Sequence, residues 1–444
     1  MLNMSNESNR GDLAILESIV YLAKKHFPNC KIQVLNVDND KQDIERGKQF
    51  KYLTALGVNH HGSFLPRVLN EGKKLRVILS GCWHVVVSIW VIGSVFIFRK
   101  YASFIIPKRH QEAFNAIRIA DVVVLKGGSY LYSYGGIKNF LFLYRMLLPS
   151  IVSIWLGKKI LALGLSIGPV VDKPSRALLI YCLKRFHKVV LRECISHRYV
   201  LDELMLDRRT VELMPDMAFW KSRPEEGHRE CSKARTILET AAKDSDWLDK
   251  LKIGLTVRKW NFPLQDNPRE RFNNYCSSIV SVITQLHTEY GARVFIMPQA
   301  HSDMALGQLI AEKAKVARPI VIQGDYSTSV LREIYGLIDI FIGTRTHSNI
   351  FALSMGTPVI AIAYEIPKGY GIVSMLENDG CILDITKISE KELLRKVQNI
   401  LSKKDVMRNA ICKKVAIMQQ TIEEKYVEFI ESTLKANHTG RKKP

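Results

Sequence analysis

The segment 339–368 constrains the fold more than any other part of the sequence. Its apolar run at 340–342 is typical of a buried parallel strand, and Gly343 permits a turn directly after it. A helical pattern then leads to Gly356, a residue suited to a helix C-terminus, and a second apolar run follows at 359–363. A strand, a helix and a strand in this order form the repeating unit of a parallel sheet. The segment therefore predicts an α/β protein.

Three basic residues of this segment favour the binding of an anion. Arg345 and His347 lie where the predicted helix begins, and free backbone N–H groups and the positive end of the helix dipole point there. A guanidinium and an imidazole at that position suit a phosphate or a carboxylate. Lys368 follows the second strand and could reach the same crevice, because α/β sheets bind ligands at the carboxyl ends of their strands. The alternative is a structural strand–helix unit whose charges are only solvated.

Strands and helices alternate along most of the chain in two halves. The stretch 221–250 is polar and charged, so we predict that it links an N-terminal domain, 1–220, to a C-terminal domain, 251–444. The alternation predicts a doubly wound, Rossmann-like sheet in each domain, and the tail predicts amphipathic helices. We therefore expect two doubly wound domains that face each other across a crevice, with helices at the carboxyl end of the chain.

Two strand ends in the first half carry further candidates for a binding site. The predicted strand 119–125 leads to Gly127 and Gly128, which predict a turn. A helical pattern follows this turn, which supports its interpretation as part of a binding site. Arg192 follows the predicted strand 188–191 and precedes a helix. A pair of glycines is a weak signal when taken alone.

The amino end predicts a helix that runs to about residue 26. Asp12 suits the N-cap and Gly11 lets the backbone approach a ligand, although capping alone explains both residues. A first strand would ordinarily precede such a helix, yet only eight residues, most of them polar, precede Asn9. We therefore expect that strand to be missing or to lie upstream of residue 1.

The net charge of +21 over 444 residues indicates an anionic partner. Nucleic acid, an anionic membrane surface and phosphorylated substrates all fit this charge. Because the sequence has no zinc-finger spacing, no RNP-like motif and no basic region followed by heptads, we expect no nucleic-acid partner.

The eight cysteines are scattered and form no C-x-x-C pair, which predicts reduced thiols and no metal site. The amino end is mostly polar and does not resemble a signal peptide, so we expect the protein in the cytoplasm.

The segment 77–98 contains no Asp, Glu, Lys or Arg. Its length permits a transmembrane helix, and Trp83 and Trp90 suit a membrane interface. Two other interpretations compete with a span. In one, residues 75–80 form a buried strand and residues 85–98 form a buried or membrane-dipping helix; in the other, the whole segment belongs to the core.

The motifs of both halves, taken together and in order, resemble the polysaccharide pyruvyl transferase family. The resemblance spans about residues 9–384, and only the shortened amino end departs from it. The matching residues are Asn9 with Gly11 and Asp12, Asp121 with Gly127, Gly128 and Ser129, Ser166 with Gly168 and Pro169, Arg192 with Glu193 and Ser196, Pro215 with Asp216, Arg258, Pro298 with Gln299, Gly343 with Arg345, His347 and Ser348, Gly356 with Pro358, and Tyr364 with Glu365 and Lys368.

The resemblance implies a GT-B-like fold and transfer of the pyruvyl unit of phosphoenolpyruvate to two hydroxyls of a sugar, which gives a pyruvate ketal and releases phosphate. It implies an acceptor that is a lipid-linked or nucleotide-linked intermediate of a cell-surface polysaccharide or exopolysaccharide. It also implies that no metal and no cofactor are needed. Together with the positive charge and the segment 77–98, it leads us to expect a cytoplasmic enzyme held peripherally on the anionic inner face of the cytoplasmic membrane.

The resemblance and the residue chemistry together define the candidate site. We expect Arg345 to bind the phosphate or the carboxylate of the donor, and Arg192 and Lys368 to complete this clamp. His347 is the expected proton-transfer group, because imidazole titrates near neutral pH. Asp12, Asp216 and Glu365 are alternatives for the protonation of C3 of the donor. The further substrate-binding candidates are Asn9, Gly11, Gly127 and Gly128 on the acceptor side, with Ser129, Arg258, Gln299 and Ser348.

Two rival functions follow from the same sequence. A glycosyltransferase that uses a nucleotide-sugar donor would share the two-domain fold and the anion-binding helix start. A non-catalytic glycan-binding or lipid-binding protein would share the fold alone. The candidate cations Arg192, Arg345, His347 and Lys368 are all present, which argues against a fold that has lost catalysis.

Overall fold

The structure is a computed structural model that describes residues 1–3, 10–37, 58–61, 74–220, 227–243, 246–262, 265–299, 301–324, 326–364, 366–376 and 381–440. Contacts divide the chain into two compact units. The first unit comprises Met1–Glu7, Ile15–Met217 and Ile422–Pro444, and the second comprises Ser8–Ala14 and Ala218–Thr421. The segment Ser8–Ala14 near the amino end therefore belongs to the second unit, and the segment Ile422–Pro444 at the carboxyl end belongs to the first.

Strands and helices alternate in the first half, as the apolar patterns predict. The elements are α1 Arg10–His26, β1 Ile32–Leu35, β2 Val58–His61, α2 Lys74–Phe98, α3 Lys108–Ile119, β3 Val123–Ser133, α4 Gly136–Trp155, β4 Ile160–Val170, α5 Lys173–Leu183, β5 Lys188–Leu191, α6 Cys194–Arg198 and β6 Val211–Leu213. A 3-10 helix, Arg99–Phe104, joins α2 to α3. Strands β3, β4, β5 and β6 form a parallel sheet in chain order, and β1 pairs in parallel with β2.

The amino end contributes a short bridge to the first unit. The N–H of Leu2 donates to the carbonyl of Val124 at 2.8 Å, and the N–H of Leu35 donates to the carbonyl of Met1 at 2.8 Å. Leu2 is buried, and it pairs in parallel with Leu125 of β3. The strand that we expected to be missing is therefore represented by these first residues, which lie between β1 and β3.

Strand β3 continues through the glycines that we predicted to form a turn. Gly128 pairs with Leu165 of β4, and β3 ends only at Ser133. A Cβ atom at Gly127 would lie 2.6 Å from the carbonyl oxygen of Gly164, so glycine is needed for the close approach of the two strands. The predicted turn was wrong because these glycines serve strand packing.

Residues 74–98 form one helix, so the buried strand that one interpretation placed at 75–80 was wrong. The residues of this run continue the helical pattern of the residues after them, and a short apolar run does not by itself distinguish a strand from a buried helix. Val91 and Val95 of α2 are buried in the core of the first unit. Ile89 and Ile97 are 62% and 68% exposed, so α2 is apolar on both its buried and its exposed side.

Two helical stretches of the described residues have the length and composition of a membrane span. They are Val86–Phe104, of which 33% is buried, and Gly136–Trp155, of which 50% is buried. The two run in the same direction, because Tyr144 donates a hydrogen bond to Ser88 at 3.0 Å and Phe96 contacts Trp155 with a ring separation of 5.2 Å. Length and composition alone define this match, and a core helix meets the same criteria.

The second unit contains the segment 339–368 and a longer parallel sheet. Its elements are α7 Gly227–Ala242, β7 Lys252–Thr256, α8 Pro268–Tyr290, β8 Arg293–Ile296, α9 His301–Lys313, β9 Ile320–Val321, α10 Thr328–Gly336, β10 Ile340–Gly343, α11 Thr346–Ser354, β11 Val359–Ala363, α12 Ile366–Ser374, β12 Ile382–Asp384, α13 Glu390–Leu401 and α14 Lys404–Gly440. The strand order is β9-β8-β7-β10-β11-β12, and every pair is parallel. This order reverses between β7 and β10, which is the doubly wound topology. The predicted α/β class with C-terminal helices is confirmed.

Helix α7 lies within the segment 221–250 that we predicted as a linker. Ala234 and Leu238 are fully buried, and α7 packs against α10. Charged residues cover the other side of this helix, and they make the average composition of the segment polar. A narrow apolar stripe on a charged helix is therefore hidden when only composition is considered.

Candidate functional site

The carboxyl ends of β7 and β10 lie side by side where the strand order of the second unit reverses. Thr256 ends β7 and pairs with Gly343, which ends β10. In doubly wound sheets, ligands bind in the crevice outside the strand ends at this point. The loop from β10 to α11 carries Arg345 and leads to His347. This edge of the sheet is therefore the candidate site.

The turn after β10 requires glycine. A Cβ atom at Gly343 would lie 1.7 Å from Oδ1 of Asn349. Asn349 is 4% exposed, and its Nδ2 donates to the carbonyl of Gly343 at 3.1 Å. Helix α11 then begins at Thr346, and the side chain of Arg345 at the N-cap makes no capping hydrogen bond. The N-cap side chain thus does not occupy the N–H groups at the positive end of α11. A helix start must lack such a cap in order to bind an anion.

Arg345 forms a bidentate pair with Asp303 in the first turn of α9. Its Nε donates to Oδ2 at 2.9 Å, and its Nη2 donates to Oδ1. The Asp303 side chain is 1% exposed and the Arg345 side chain is 20% exposed. Such a pair fixes the plane of the guanidinium. The Nη1 edge takes no part in the pair and is suited to a ligand anion.

His347 lies in the first turn of α11 and is half-buried. Its ring contacts the first turn of α1, since a Cβ atom at Gly11 would lie 2.1 Å from both Cγ and Nδ1 of the imidazole. Gly11 and Asp12 belong to the second unit, whereas the remainder of α1 belongs to the first. The structure therefore brings Gly11 to His347, although the sequence predicted that Gly11 lines the acceptor.

Two other predicted residues of this site bind each other. The hydroxyl of Ser348 donates to Oε1 of Gln299, which follows β8. Ser348 is fully buried, and Tyr335 beside it is 2% exposed. Burial raises the pKa of Tyr335, although a hydrogen bond with Ser348 opposes the rise. Within the described part of the chain, the buried Nε2 of Gln299 makes no hydrogen bond.

Arg258 lies two residues after β7 and binds the ring of Tyr364, which directly follows β11. Its guanidinium carbon is 4.1 Å from the Tyr364 ring centre and 5.4 Å from the Trp260 ring centre. An Nη1 atom of Arg258 also donates to the Tyr364 hydroxyl. The Trp260 and Tyr364 rings lie 4.9 Å apart. Arg258 thus belongs to an aromatic cluster at the carboxyl edge of the same sheet.

In the first unit, Arg192 and Asp216 form a buried ion pair. Nη1 of Arg192 is 2.6 Å from Oδ2 of Asp216, and its Nε donates to the hydroxyl of Ser166 at 2.8 Å. The side chains of Arg192 and Asp216 are 1% and 0% exposed. Both were predicted to contact substrate, and the structure shows that they neutralise each other at the ends of β5 and β6.

Glu193, next to this pair, is also fully buried. Its Oε2 accepts a hydrogen bond from the N–H of Ser196 at 2.9 Å and caps α6. Burial raises the pKa of this carboxyl, while hydrogen bonds from Ser196 and the charge of Arg192 oppose the rise. The carboxyl ends of the first unit's strands therefore hold a compact buried group of charges.

The remaining predicted residues are distributed as follows. Gly127, Gly128 and Ser129 lie within β3 of the first unit, where the ammonium of Lys126 donates to the carbonyl of Gly127 at 2.9 Å. Lys368 lies in the first turn of α12, and its side chain is outside the described part of the structure. Asn9 and Glu365 also lie outside the described residues.

Asp303, the main partner of Arg345, was not predicted from the sequence. The two residues are 42 positions apart, and α9 offered no charge pattern that would connect them. Tyr275 was not predicted either, and its hydroxyl is 2.9 Å from Oγ1 of Thr344 in the loop before α11. For Asp303, the only signal in the sequence was its place close to the start of a predicted helix, where an acidic residue is ordinarily explained by the helix dipole.

Comparisons with known proteins give the family and the fold. A model of the family described as polysaccharide pyruvyl transferase matches residues 9–366. The amylovoran biosynthesis protein AmsJ of Erwinia amylovora is 21% identical over 424 residues, which are 92% of each chain.

Solved structures with similar folds cover almost the whole chain. A glycosyltransferase from Rickettsia africae ESF-5 has a TM-score of 0.57 at 12% identity over 98% of both chains. Anabaena Alr3699/HepE, in complex with UDP and glucose, has a TM-score of 0.55 at 11% identity over 98% of this chain and 99% of its own. A UDP-N-acetylglucosamine 2-epimerase from Rickettsia bellii has a TM-score of 0.56 at 13% identity over 98% and 96%. At such identities the similarity shows the fold, and the predicted GT-B-like fold is confirmed.

The family match extends over most of the chain and includes α1, strands β1 to β11 and the loop that carries Arg345 and His347. The predicted transferase activity and the role in polysaccharide biosynthesis are therefore confirmed at the level of the family. This chain belongs to the polysaccharide pyruvyl transferase family.

Proposed function

We propose that this protein transfers the pyruvyl unit of phosphoenolpyruvate to a sugar of a polysaccharide intermediate, with formation of a pyruvate ketal and release of phosphate. The observation that carries the proposal is the start of α11, where the oriented guanidinium of Arg345, the imidazole of His347 and a helix N-terminus lie together. Phosphoenolpyruvate is a small molecule with a phosphate and a carboxylate, and such a site supplies charge and hydrogen-bond donors for both.

The reaction assigns distinct roles to these groups. A sugar hydroxyl attacks C2 of the donor while C3 gains a proton, and a second hydroxyl then attacks C2 as phosphate leaves. Of the two hydroxyl protons, one is balanced by the proton gained at C3 and the other leaves with phosphate. Arg345 holds the donor anion, and His347 is the proposed carrier of the proton. The roles predicted for Arg192 and Lys368, and for Asp12, Asp216 and Glu365 as alternative acids, stay predictions.

Phosphate release from phosphoenolpyruvate tests this proposal when it is measured with a panel of lipid-linked and nucleotide-linked sugar acceptors. We expect acceptor-dependent release and a ketal in the product, and a loss of at least about a hundredfold in kcat for His347→Ala, which is the usual contribution of a proton-transfer group. Ile417→Ala, at a 65% exposed position of α14, is the control and should retain activity. Turnover of a nucleotide-sugar donor in place of phosphoenolpyruvate would instead support the glycosyltransferase alternative.

We also propose that the reaction needs no metal and no cofactor. Arg345 and the start of α11 supply the positive charge that a cation would otherwise contribute to a phosphoryl site. Activity should therefore survive dialysis against EDTA, and it should not increase when magnesium or manganese is added. A loss with EDTA that added metal restores would contradict this part of the proposal.

A lipid-linked acceptor would place the enzyme at a membrane, and the first unit has a surface suited to one. Ile89, Trp90 and Ile97 of α2 continue into Tyr101 and Phe104 of the 3-10 helix, and all five side chains are more than half exposed. We call these residues the docking face. Large apolar side chains in one contiguous exposed row indicate an interaction surface.

The charges around the docking face favour an anionic lipid surface as its partner. Arg99, Lys100 and Lys108 are exposed next to it, and the sequence contains no Asp or Glu from residue 72 to residue 111. Basic residues that flank an exposed apolar helix face are typical of peripheral attachment to anionic lipid. We therefore propose that this face rests on the anionic inner surface of the cytoplasmic membrane, near a lipid-linked acceptor.

Flotation with phosphatidylglycerol-containing vesicles tests the docking face. Ile97→Asp and Phe104→Asp should abolish flotation because each puts a negative charge into an apolar, lipid-facing row. Ile417→Asp is the matched control, since this residue is equally exposed on another helix. Flotation that is equal for all three variants, or concentration-dependent dimerisation that is lost in the same two variants, would contradict a membrane as the partner.

A further inference from the structure

The first turn of α1 lies against the imidazole that we assign to proton transfer. A Cβ atom built at Gly11 would lie 2.1 Å from Cγ, 2.1 Å from Nδ1 and 2.5 Å from Cβ of His347. Non-bonded carbon atoms ordinarily stay about 3.5–4.0 Å apart. Any side chain at position 11 would therefore have to move the ring or the helix. Gly11 and His347 belong to the same unit, so this contact is internal to that unit.

The contact involves the Cβ atom of His347 and the ring atoms next to it. Both Cγ and Nδ1 of His347 lie next to Gly11, so the added atom would press on the ring itself and not on the end of a flexible chain. His347 has little freedom to retreat, because its neighbours Thr346 and Ser348 in α11 are buried and α11 is anchored on β10 and β11. Rotation of the imidazole about its side-chain bonds would relieve the contact with the ring but not the contact with Cβ, so the first turn of α1 would also have to shift.

We infer that Gly11 is a positioning residue that sets the orientation of the His347 imidazole. The catalytic consequence of this role rests on the proposed function, whereas the contact between Gly11 and His347 does not depend on that function. It assigns Gly11 a role different from the acceptor contact that the sequence suggested. Glycine within a helix is less favourable than alanine, so its presence at position 11 is explained by the space that the imidazole occupies.

Gly11→Ala tests the inference through a double-mutant cycle with His347→Gly, because alanine at position 347 would keep the Cβ atom that lies 2.5 Å from the added methyl group. In the otherwise unchanged protein, Gly11→Ala should lower kcat by about tenfold to a hundredfold, because displacement of a reacting group by about 1 Å has costs of that size. The KM for phosphoenolpyruvate should change little, since Arg345 is not moved. Combined with His347→Gly, the same substitution should cause no further loss of kcat.

Thermal stability provides a readout that does not depend on the reaction. Gly11→Ala should lower Tm when His347 is present, because the added methyl group overlaps the ring. In the His347→Gly protein, which also lacks the Cβ atom at position 347, it should leave Tm unchanged or raise it, because the space is open and alanine favours the helix. Gly93→Ala is the control, since a Cβ atom there meets nothing within 4 Å and should not lower Tm or activity with a soluble acceptor.

The outcomes separate this inference from the proposed function. If the protein does not release phosphate from phosphoenolpyruvate but the Tm cycle behaves as expected, the proposed function fails and the contact between Gly11 and His347 stands. If Gly11→Ala changes neither kcat nor Tm, or lowers Tm equally with and without the imidazole, Gly11 does not position His347.

Discussion

Asp303 holds Arg345, the arginine that we propose binds the donor. Its carboxylate binds two nitrogens of Arg345, and this leaves one edge of the guanidinium available. The pair is partly shielded from water, because the carboxylate is 1% exposed. A charge pair in such a place orients a side chain more than it stabilises the fold, since desolvation offsets much of the attraction.

Asp303→Asn should reduce kcat/KM for phosphoenolpyruvate by about tenfold, because the guanidinium loses its fixed plane. Unfolding free energy should fall by about 1–3 kcal/mol, as expected when a partly buried charged hydrogen bond is weakened. Asp207→Asn is a matched control, because Asp207 binds Arg209 in the same bidentate manner on the exposed surface. Steady-state kinetics and urea unfolding measure both effects, and equal results for the two variants would contradict the positioning role.

The buried carboxyl of Glu193 should make the stability of the folded protein depend on pH. Burial raises the pKa of its carboxyl above the value of the unfolded chain, which is about 4.3. The folded state therefore binds the proton more tightly, and the contribution of Glu193 to stability falls as pH rises between the two pKa values. Glu193→Gln keeps an oxygen that can accept the bond from Ser196 and removes the charge.

Glu193→Gln should thus raise Tm relative to the unchanged protein at pH 7 and lose this advantage near pH 4. Thermal unfolding of both proteins across that range measures the difference. An advantage that is constant with pH would show that the carboxyl does not titrate with a raised pKa in the folded state.

At the scale of elements, the sequence predicted the strands of the second unit more accurately than those of the first. Strands β10 and β11 are short, fully apolar and bounded by glycine or proline signals, so local patterns define them. Strands β3 and β4 extend beyond their apolar runs because Gly127 lets the two strands approach closely. Such an extension depends on a neighbouring strand, which local sequence does not encode.

Helix α7 gives a prediction at the same scale. Leu238 is fully buried and α7 packs against α10, so Leu238→Ala should lower the unfolding free energy of the protein by about 2–5 kcal/mol. Glu239→Ala, at the next and exposed position, should change it by less than about 0.5 kcal/mol. Urea unfolding compares the two variants. If the segment 221–250 acted only as a linker, both substitutions would be equally silent.

For the whole molecule, the alternation of strands and helices was enough to predict the fold class, and the ordered motifs were enough to predict the family. The side-chain pairs of the site were not predictable, because Arg345 meets Asp303 and Arg192 meets Asp216 only after the sheets have formed. The membership of residues 8–14 in the second unit also depends on contacts distant in sequence. Motifs therefore located the candidate site, while its internal geometry required the fold.

The central claim is that phosphoenolpyruvate binds at the start of α11 through Arg345. Calorimetric titration of phosphoenolpyruvate into the protein tests this claim without requiring the acceptor to be known. We predict saturable binding that is weakened by at least about tenfold in Arg345→Ala, a loss of about 1.4 kcal/mol or more, and unchanged in Arg209→Ala on the exposed surface. Equal affinity of the unchanged protein and Arg345→Ala, or no binding of phosphoenolpyruvate at all, would contradict the claim.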